Sequence, residues 1–245
     1  MPRYRLTIEY DGTNYSGWQL QSGQDSIQNQ LEAALARLFG TSLRVHGAGR
    51  TDAGVHALGQ IAAFDAPHPF PPANLPRALN ALLPLDIAVR EAAEVSYDFD
   101  PRRAARSRVY EYRILNRPLR SALEHRYAWL VREPLDVDTM SRAAAYFLGE
   151  QDFAALRSVG SAEHSTIRRV DRSEWDRASD VRLIYRVEAS GFLRHMVRTM
   201  VALMVTIGRH RLPPEAVAAI LGTRDRALVA GAAPACGLFL LEVRY

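Results

Sequence analysis

A glycine-rich stretch at residues 47–60, Gly-Ala-Gly-Arg-Thr-Asp-Ala-Gly-Val-His-Ala-Leu-Gly-Gln, separates two apolar segments that read as strands, residues 42–46 and 58–64. Passing from strand to strand through such a stretch commits the chain to sheet here, with a loop held at both ends. Glycine lets backbone turn sharply or approach another group closely, because it has no Cβ. The loop carries one carboxylate: Asp52 is the only acid between Glu32 and Asp65, and Arg50 lies two residues before it. A neighbouring guanidinium favours the charged carboxylate. An ionised, partly desolvated aspartate can act as a nucleophile or a general base. The commoner use of an aspartate in a glycine-rich loop is to hydrogen-bond its own turn. A dinucleotide loop is excluded, because Asp52 stands where Gly-x-Gly-x-x-Gly needs its third glycine, and a Walker loop is excluded because the chain has no lysine.

The remaining chain alternates between strand and helix signals. Residues 4–10 alternate apolar and polar, as a half-buried strand does, and Asp11-Gly12-Thr13-Asn14 is turn chemistry. Asp25 with Gln28 at N3 predicts a helix start, Ile27, Leu31, Ala34, Leu35 and Leu38 its apolar face, and Gly40 its end. After a proline-rich break at 67–72 come a short helix near 75–82 and a strand at 87–95. A second unit is expected from about Ala104, with a strand at 108–115 and a helix at 139–148 ending at Gly149. Strands at 167–175 and 181–188 follow, then an amphipathic helix at 192–207 with Arg194, His195, Arg198, Thr199, Ala202 and Thr206 on one side. Pro213-Pro214 opens a last helix stopping at Gly222, and 238–243 is a final strand. The expected fold is α+β, with two similar subdomains at 1–104 and 105–245.

Composition narrows the function classes. One cysteine, Cys236, excludes an internal disulfide and a zinc site built on several thiolates. The N-terminus lacks the apolar run of a signal peptide, and the most apolar window, 196–207, is too short to span a bilayer. The expectation is a soluble cytoplasmic protein without a membrane partner. Between Arg102 and Arg126 eight arginines face two glutamates, a balance of +6 in a chain whose total is +4. Such concentration suits a surface that meets phosphates, although a charge run is more often a solvated face. Tyr110, Tyr112 and Tyr127 interleave with these arginines, which suits base stacking.

The string Arg50-Thr51-Asp52-Ala53-Gly54-Val55-His56-Ala57 resembles the catalytic loop of the tRNA pseudouridine synthase A family. Tyr10-Asp11-Gly12-Thr13, Gly17-Trp18-Gln19 and Gln21 resemble its opening motif. Arg106-Ser107-Arg108-Val109-Tyr110-Glu111-Tyr112 and Gly191-Phe192-Leu193-Arg194-His195-Met196-Val197-Arg198 resemble two further segments. So do Gly149-Glu150-Gln151-Asp152-Phe153 and Ala233-Pro234 with Gly237-Leu238, so the resemblance spans nearly the whole chain. It implies a pseudouridine synthase fold whose two sheets join around a basic cleft, in a homodimer. It implies isomerisation of uridines 38, 39 and 40 in the tRNA anticodon stem-loop, with Asp52 as nucleophile. Arg198 is the implied partner of Asp52, Arg50 fills the space of the departed base or holds phosphate, and Tyr110 packs on the target base. Leu238, Arg106 and Arg108 are the implied remaining substrate contacts.

The implied reaction breaks N1–C1′ and joins C5 to C1′ without net redox or group transfer, so it calls for no cofactor and no metal. The departures from the family pattern are Gln151 for a common His, Leu156 for Phe, Arg103 for an apolar residue and Arg194 for a frequent His. They bear on substrate fit more than on reaction type. Two rival classes are a non-catalytic RNA-binding protein and a nucleoside hydrolase, and the latter normally calls for a second working carboxylate.

Overall fold

The computed structural model describes every residue except 22, 159–164, 226–228 and 230. Contacts group the chain into two units: Met1–Arg106 with Phe239–Tyr245, and Ser107–Leu238. Each carries a mixed sheet flanked by helices, so the fold class is α+β. The final strand, expected with the second half, contributes its residues from Phe239 onward to the first unit, where Phe239 and Leu240 pair with His56 and Ala57.

In the first unit β1 (Arg3–Tyr10) pairs antiparallel with both β3 (His56–Asp65) and β4 (Ile87–Val95). The short β2 (His46–Gly47) and, in parallel, β10 (Leu238–Arg244) also pair with β3. The alternation of β1 buries Tyr4, Leu6, Ile8 and Tyr10. α1 (Ile27–Phe39) buries Ile27, Leu31 and Leu35 completely, each contributing about 1.5–3 kcal/mol. α1 ends where Gly40 takes a left-handed conformation at φ 73 and donates to Ala36 O. α2 (Leu75–Asn80) completes the unit's helices.

The structure departs from two local expectations. The N-cap of α1 is Ser26, not Asp25: the Ser26 hydroxyl accepts from Asn29 N at 3.2 Å, while Asp25 takes the Gln30 side-chain amide. Residues 42–45 form no strand, because side chains of α1 capture the backbone that a ladder would need. Val45 N donates to Glu32 Oε1 at 3.1 Å, and Val45 O accepts from Gln28 Nε2 at 3.1 Å.

In the second unit β5 (Ser107–Asn116) pairs antiparallel with β9 (Arg182–Ala189) and parallel with the short β6 (Trp129–Val131). β9 continues to β8 (Ile167–Ser179), and β8 to β7 (Gly149–Asp152). The helices are α3 (Val137–Ala145), α4 (Met196–Gly208) and α5 (Ala216–Thr223). α3 and α4 approach so closely that a Cβ on Gly208 would lie 2.6 Å from Met140 Sδ. α4 starts four residues later than its sequence pattern suggests, since His195 has a left-handed backbone at φ 65. Thr199, expected on the polar side, is fully buried.

Candidate active site

Eight residues connect β2 to β3, and the catalytic-loop string begins among them. Ala48 N donates to Ile61 O at 2.8 Å, so the ladder holds the loop as it leaves the sheet. Val55 N donates to Asp52 O at 3.1 Å, closing a turn in which Gly54 has φ 75. Asp52 is half-buried and Arg50 is exposed.

The segments that resemble the family's opening motif form the seat of this loop. A Cβ on Gly12 would lie 2.0 Å from Val55 O, and one on Gly17 would lie 2.5 Å from Thr51 O. Gly17 also has φ 95, a conformation that residues with a Cβ rarely take. Trp18 N donates to Thr51 O at 3.0 Å, and Gly54 N donates to Tyr15 O at 3.4 Å. The glycines of that motif are therefore required by close approach of two backbones.

Buried side chains of the sheet reach the same loop. The Tyr10 hydroxyl lies 2.7 Å from Thr51 Oγ1, and Gln60 Nε2 donates to Gly49 O at 2.8 Å. Burial pushes the Tyr10 hydroxyl up to about 12, against smaller lowering by its hydrogen bonds with Thr51 and Gln60. It is therefore protonated at neutral pH and able to donate. His56, 1% exposed, stacks on Phe239 with ring centroids 4.6 Å apart. Its Nδ1 lies 3.1 Å from both Gly12 N and Asp11 Oδ1. One nitrogen cannot accept from Gly12 and donate to Asp11 at once. Asp11 Oδ1 already accepts from Thr13 N and Thr13 Oγ1, whereas Gly12 N is buried. We assign Nδ1 as the acceptor from Gly12 N.

Of the remaining expected site residues, only Arg106 lies in the first unit. It is exposed, and its backbone N–H donates to Arg244 O at 2.8 Å. The second unit carries the rest. Tyr110, on β5 opposite Val187, is 8% exposed and meets Phe192 edge to face at 5.1 Å. Arg108 donates to Ser190 O at 3.0 Å. Arg198, in the first turn of α4, donates through Nε to Ala233 O at 2.7 Å, and Ala233 N donates back to Arg198 O at 3.0 Å. Tyr112 donates to Pro234 O at 2.8 Å, and a Cβ on Gly237 would lie 2.7 Å from the Tyr112 ring. Arg198 and Tyr112 together thus anchor the segment that leads into buried Leu238.

The +6 segment is less uniform than its composition. Tyr112 is fully buried, so of the three interleaved tyrosines it is unavailable for stacking. Glu111, also buried, pairs with Arg113 at 2.8 Å and with Arg186 at 3.0 Å. Arg102, Arg103, Arg106, Arg120 and Arg126 are exposed. Sequence reading missed Tyr10 and Gln60 as supports of the loop. Their only trace was membership of a strand pattern and of a motif without an assigned role. Among the described residues, no three His, Cys, Asp or Glu side chains converge as a metal site, and no helix is long and apolar enough to cross a membrane.

A family model described as tRNA pseudouridine synthase matches residues 6–102 and 143–245. Over 245 residues the chain is 46% identical to the tRNA pseudouridine synthase A of Geobacter sulfurreducens, covering 100% of both chains. It is 44% identical to that of Myxococcus xanthus, covering 100% of this chain and 92% of the relative. A chain from an H/ACA RNP bound to a substrate RNA containing 2'-deoxyuridine overlays on 82% of this chain and 44% of its own. Its 12% identity and TM-score of 0.39 are too low to build on.

Proposed function

The chain belongs to the tRNA pseudouridine synthase family, and we propose that it converts uridines 38, 39 and 40 of the anticodon stem-loop to pseudouridine with Asp52 as nucleophile. The enzyme is an isomerase acting on tRNA. The observation that carries the role of Asp52 is the seating of its loop. Backbone and side chains of β1, β3 and the Gly12–Trp18 segment fix positions 49, 51 and 54 around the half-buried carboxylate of Asp52. Nucleophilic attack needs the attacking group held at a fixed place, and such seating supplies it without closing the site to solvent.

Isomerisation breaks the N1–C1′ bond, turns the uracil and joins C5 to C1′. The C5 hydrogen leaves to solvent and N1 gains a proton, so atoms balance with no co-reactant. The target base must leave its stack, at a cost of a few kcal/mol. Stacking on Tyr110 offsets about 1–3 kcal/mol of that. The exposed guanidinium of Arg50 is suited to the space the base vacates or to a phosphate. The family resemblance assigns Arg198 as the cation beside Asp52, and homodimeric assembly in the cytoplasm belongs to the same proposal. Neighbouring target positions are served by a surface that grips shape and backbone more than base sequence.

Mapping modified nucleotides by carbodiimide adducts and primer extension tests the substrate assignment. Unmodified tRNA incubated with the protein should acquire stops diagnostic of pseudouridine at 38, 39 and 40. Modification confined to other positions would overturn it.

A further inference from the structure

The hydrogen bonds that flank Arg50 come from two strands of one sheet. Tyr10 ends β1 and Gln60 sits within β3, with Tyr10 opposite Ala57 and Ile8 opposite Gln60 in the ladder. Both side chains are buried. Each reaches out of the sheet to one loop position: Tyr10 to the Thr51 hydroxyl at 2.7 Å, Gln60 to the Gly49 carbonyl at 2.8 Å. A buried hydroxyl or amide is costly unless hydrogen-bonded, and only part of that need is met inside the sheet, where Gln60 Oε1 accepts from Ile61 N at 3.2 Å. The Tyr10 hydroxyl and Gln60 Nε2 are turned to the residues either side of Arg50, one of them adjacent to Asp52.

We propose that Tyr10 and Gln60 are positioning residues for the reaction: a clamp that holds Gly49 and Thr51 so that Asp52 stands at its working place. The proposal rests on Asp52 being the reacting group. Strands give a more rigid base than loops do, and a displacement of about 1 Å at a reacting group can cost about 100-fold in rate. The clamp acts through Thr51 and not on RNA, so its loss lowers kcat and leaves KM for tRNA alone.

The test uses the full-length protein, tRNA tritiated at uridine C5, and thermal melts of every variant. Tyr10→Phe keeps the ring that packs near Trp18 and removes only the hydroxyl. It should lower kcat about 10- to 100-fold with KM unchanged. Thr51→Val should do the same, while Thr51→Ser, which keeps the hydroxyl, should restore turnover. The Tyr10→Phe/Thr51→Val double variant should be no slower than the slower single, because both break the Tyr10–Thr51 bond. Gln60→Met, of similar volume, should also lose kcat at unchanged KM. Additive losses in the double variant, a loss confined to melting temperature, or a change confined to KM would each overturn the clamp. Asp52→Asn runs alongside. If it still turns over, the nucleophile assignment falls and the clamp with it. If it is inactive while Tyr10→Phe works at the wild-type rate, only the clamp falls.

Discussion

A methyl group at Gly17 would lie 2.5 Å from the Thr51 carbonyl oxygen and 3.0 Å from the Asp52 carbonyl carbon. Both of those atoms are backbone, so no side-chain rotation relieves the contact. Gly17→Ala must therefore shift the Asp52 loop and also hold a side chain at φ 95. The expected result is a loss of about 1–3 kcal/mol in stability and a larger fall in kcat than in tRNA affinity. Melting curves and steady-state kinetics check it; wild-type values in both would contradict the seating described here.

Arg106 and Arg108, equivalent in sequence, are separated by their contacts. Arg108 is engaged with Ser190 O, whereas the Arg106 side chain is exposed. Arg106→Ala should weaken tRNA binding and reduce the log–log salt slope by about 0.7–0.9, the loss of one phosphate contact. Filter binding across a salt series measures it, and an unchanged slope would assign Arg106 to solvated surface.

Tyr110 tests stacking. Its ring is buried against Phe192, so Tyr110→Ala opens a cavity and mixes loss of fold with loss of stacking. Tyr110→Phe is the cleaner variant. It should bind tRNA nearly like wild type, and slow turnover at unchanged binding would assign the hydroxyl to the C5 proton. Tyr110→Leu should fold and lose about 1–3 kcal/mol of tRNA binding. Unchanged binding by Tyr110→Leu would remove the stacking role.

Asp136 gives a pH signature in the second unit. It caps α3, and the Thr139 hydroxyl and backbone N–H, with His210 at 3.5 Å, hold its carboxyl below the ordinary range. A depressed folded-state pKa stabilises the protein above the unfolded value, and that stability is lost as pH falls through the folded value. Asp136→Ala should cost about 1 kcal/mol at neutral pH, and the gap should shrink in acid. Urea melts at several pH values check it, and a gap independent of pH would contradict the cap.

What the sequence disclosed follows from where the determining forces are local. β4 matches its expected bounds, and β1 and β5 lie within a residue or so, because alternation reports burial on one face. The cap of α1 slipped from Asp25 to Ser26, since either residue type can cap and only geometry decides. Residues 42–45 look like a strand and are not, because Gln28 and Glu32 outbid the sheet for Val45. β7, Gly149–Asp152, has no apolar pattern and exists by pairing with β8. At the site, Asp52 stood out as an isolated acid, but Tyr10 and Thr51 lie 41 residues apart and only the fold brings them together.

The role of Asp52 in isomerisation is tested most directly by release of the uracil C5 hydrogen. Incubated with tRNA tritiated at uridine C5, the protein should liberate tritiated water. Asp52→Asn should bind the same tRNA and melt like wild type yet release none, because the exchange removes the charge and little volume. Tritium release by Asp52→Asn near the wild-type rate would contradict the claim. So would tight binding by wild type with all tritium retained, the mark of a binding protein, or release of free uracil, the mark of a hydrolase.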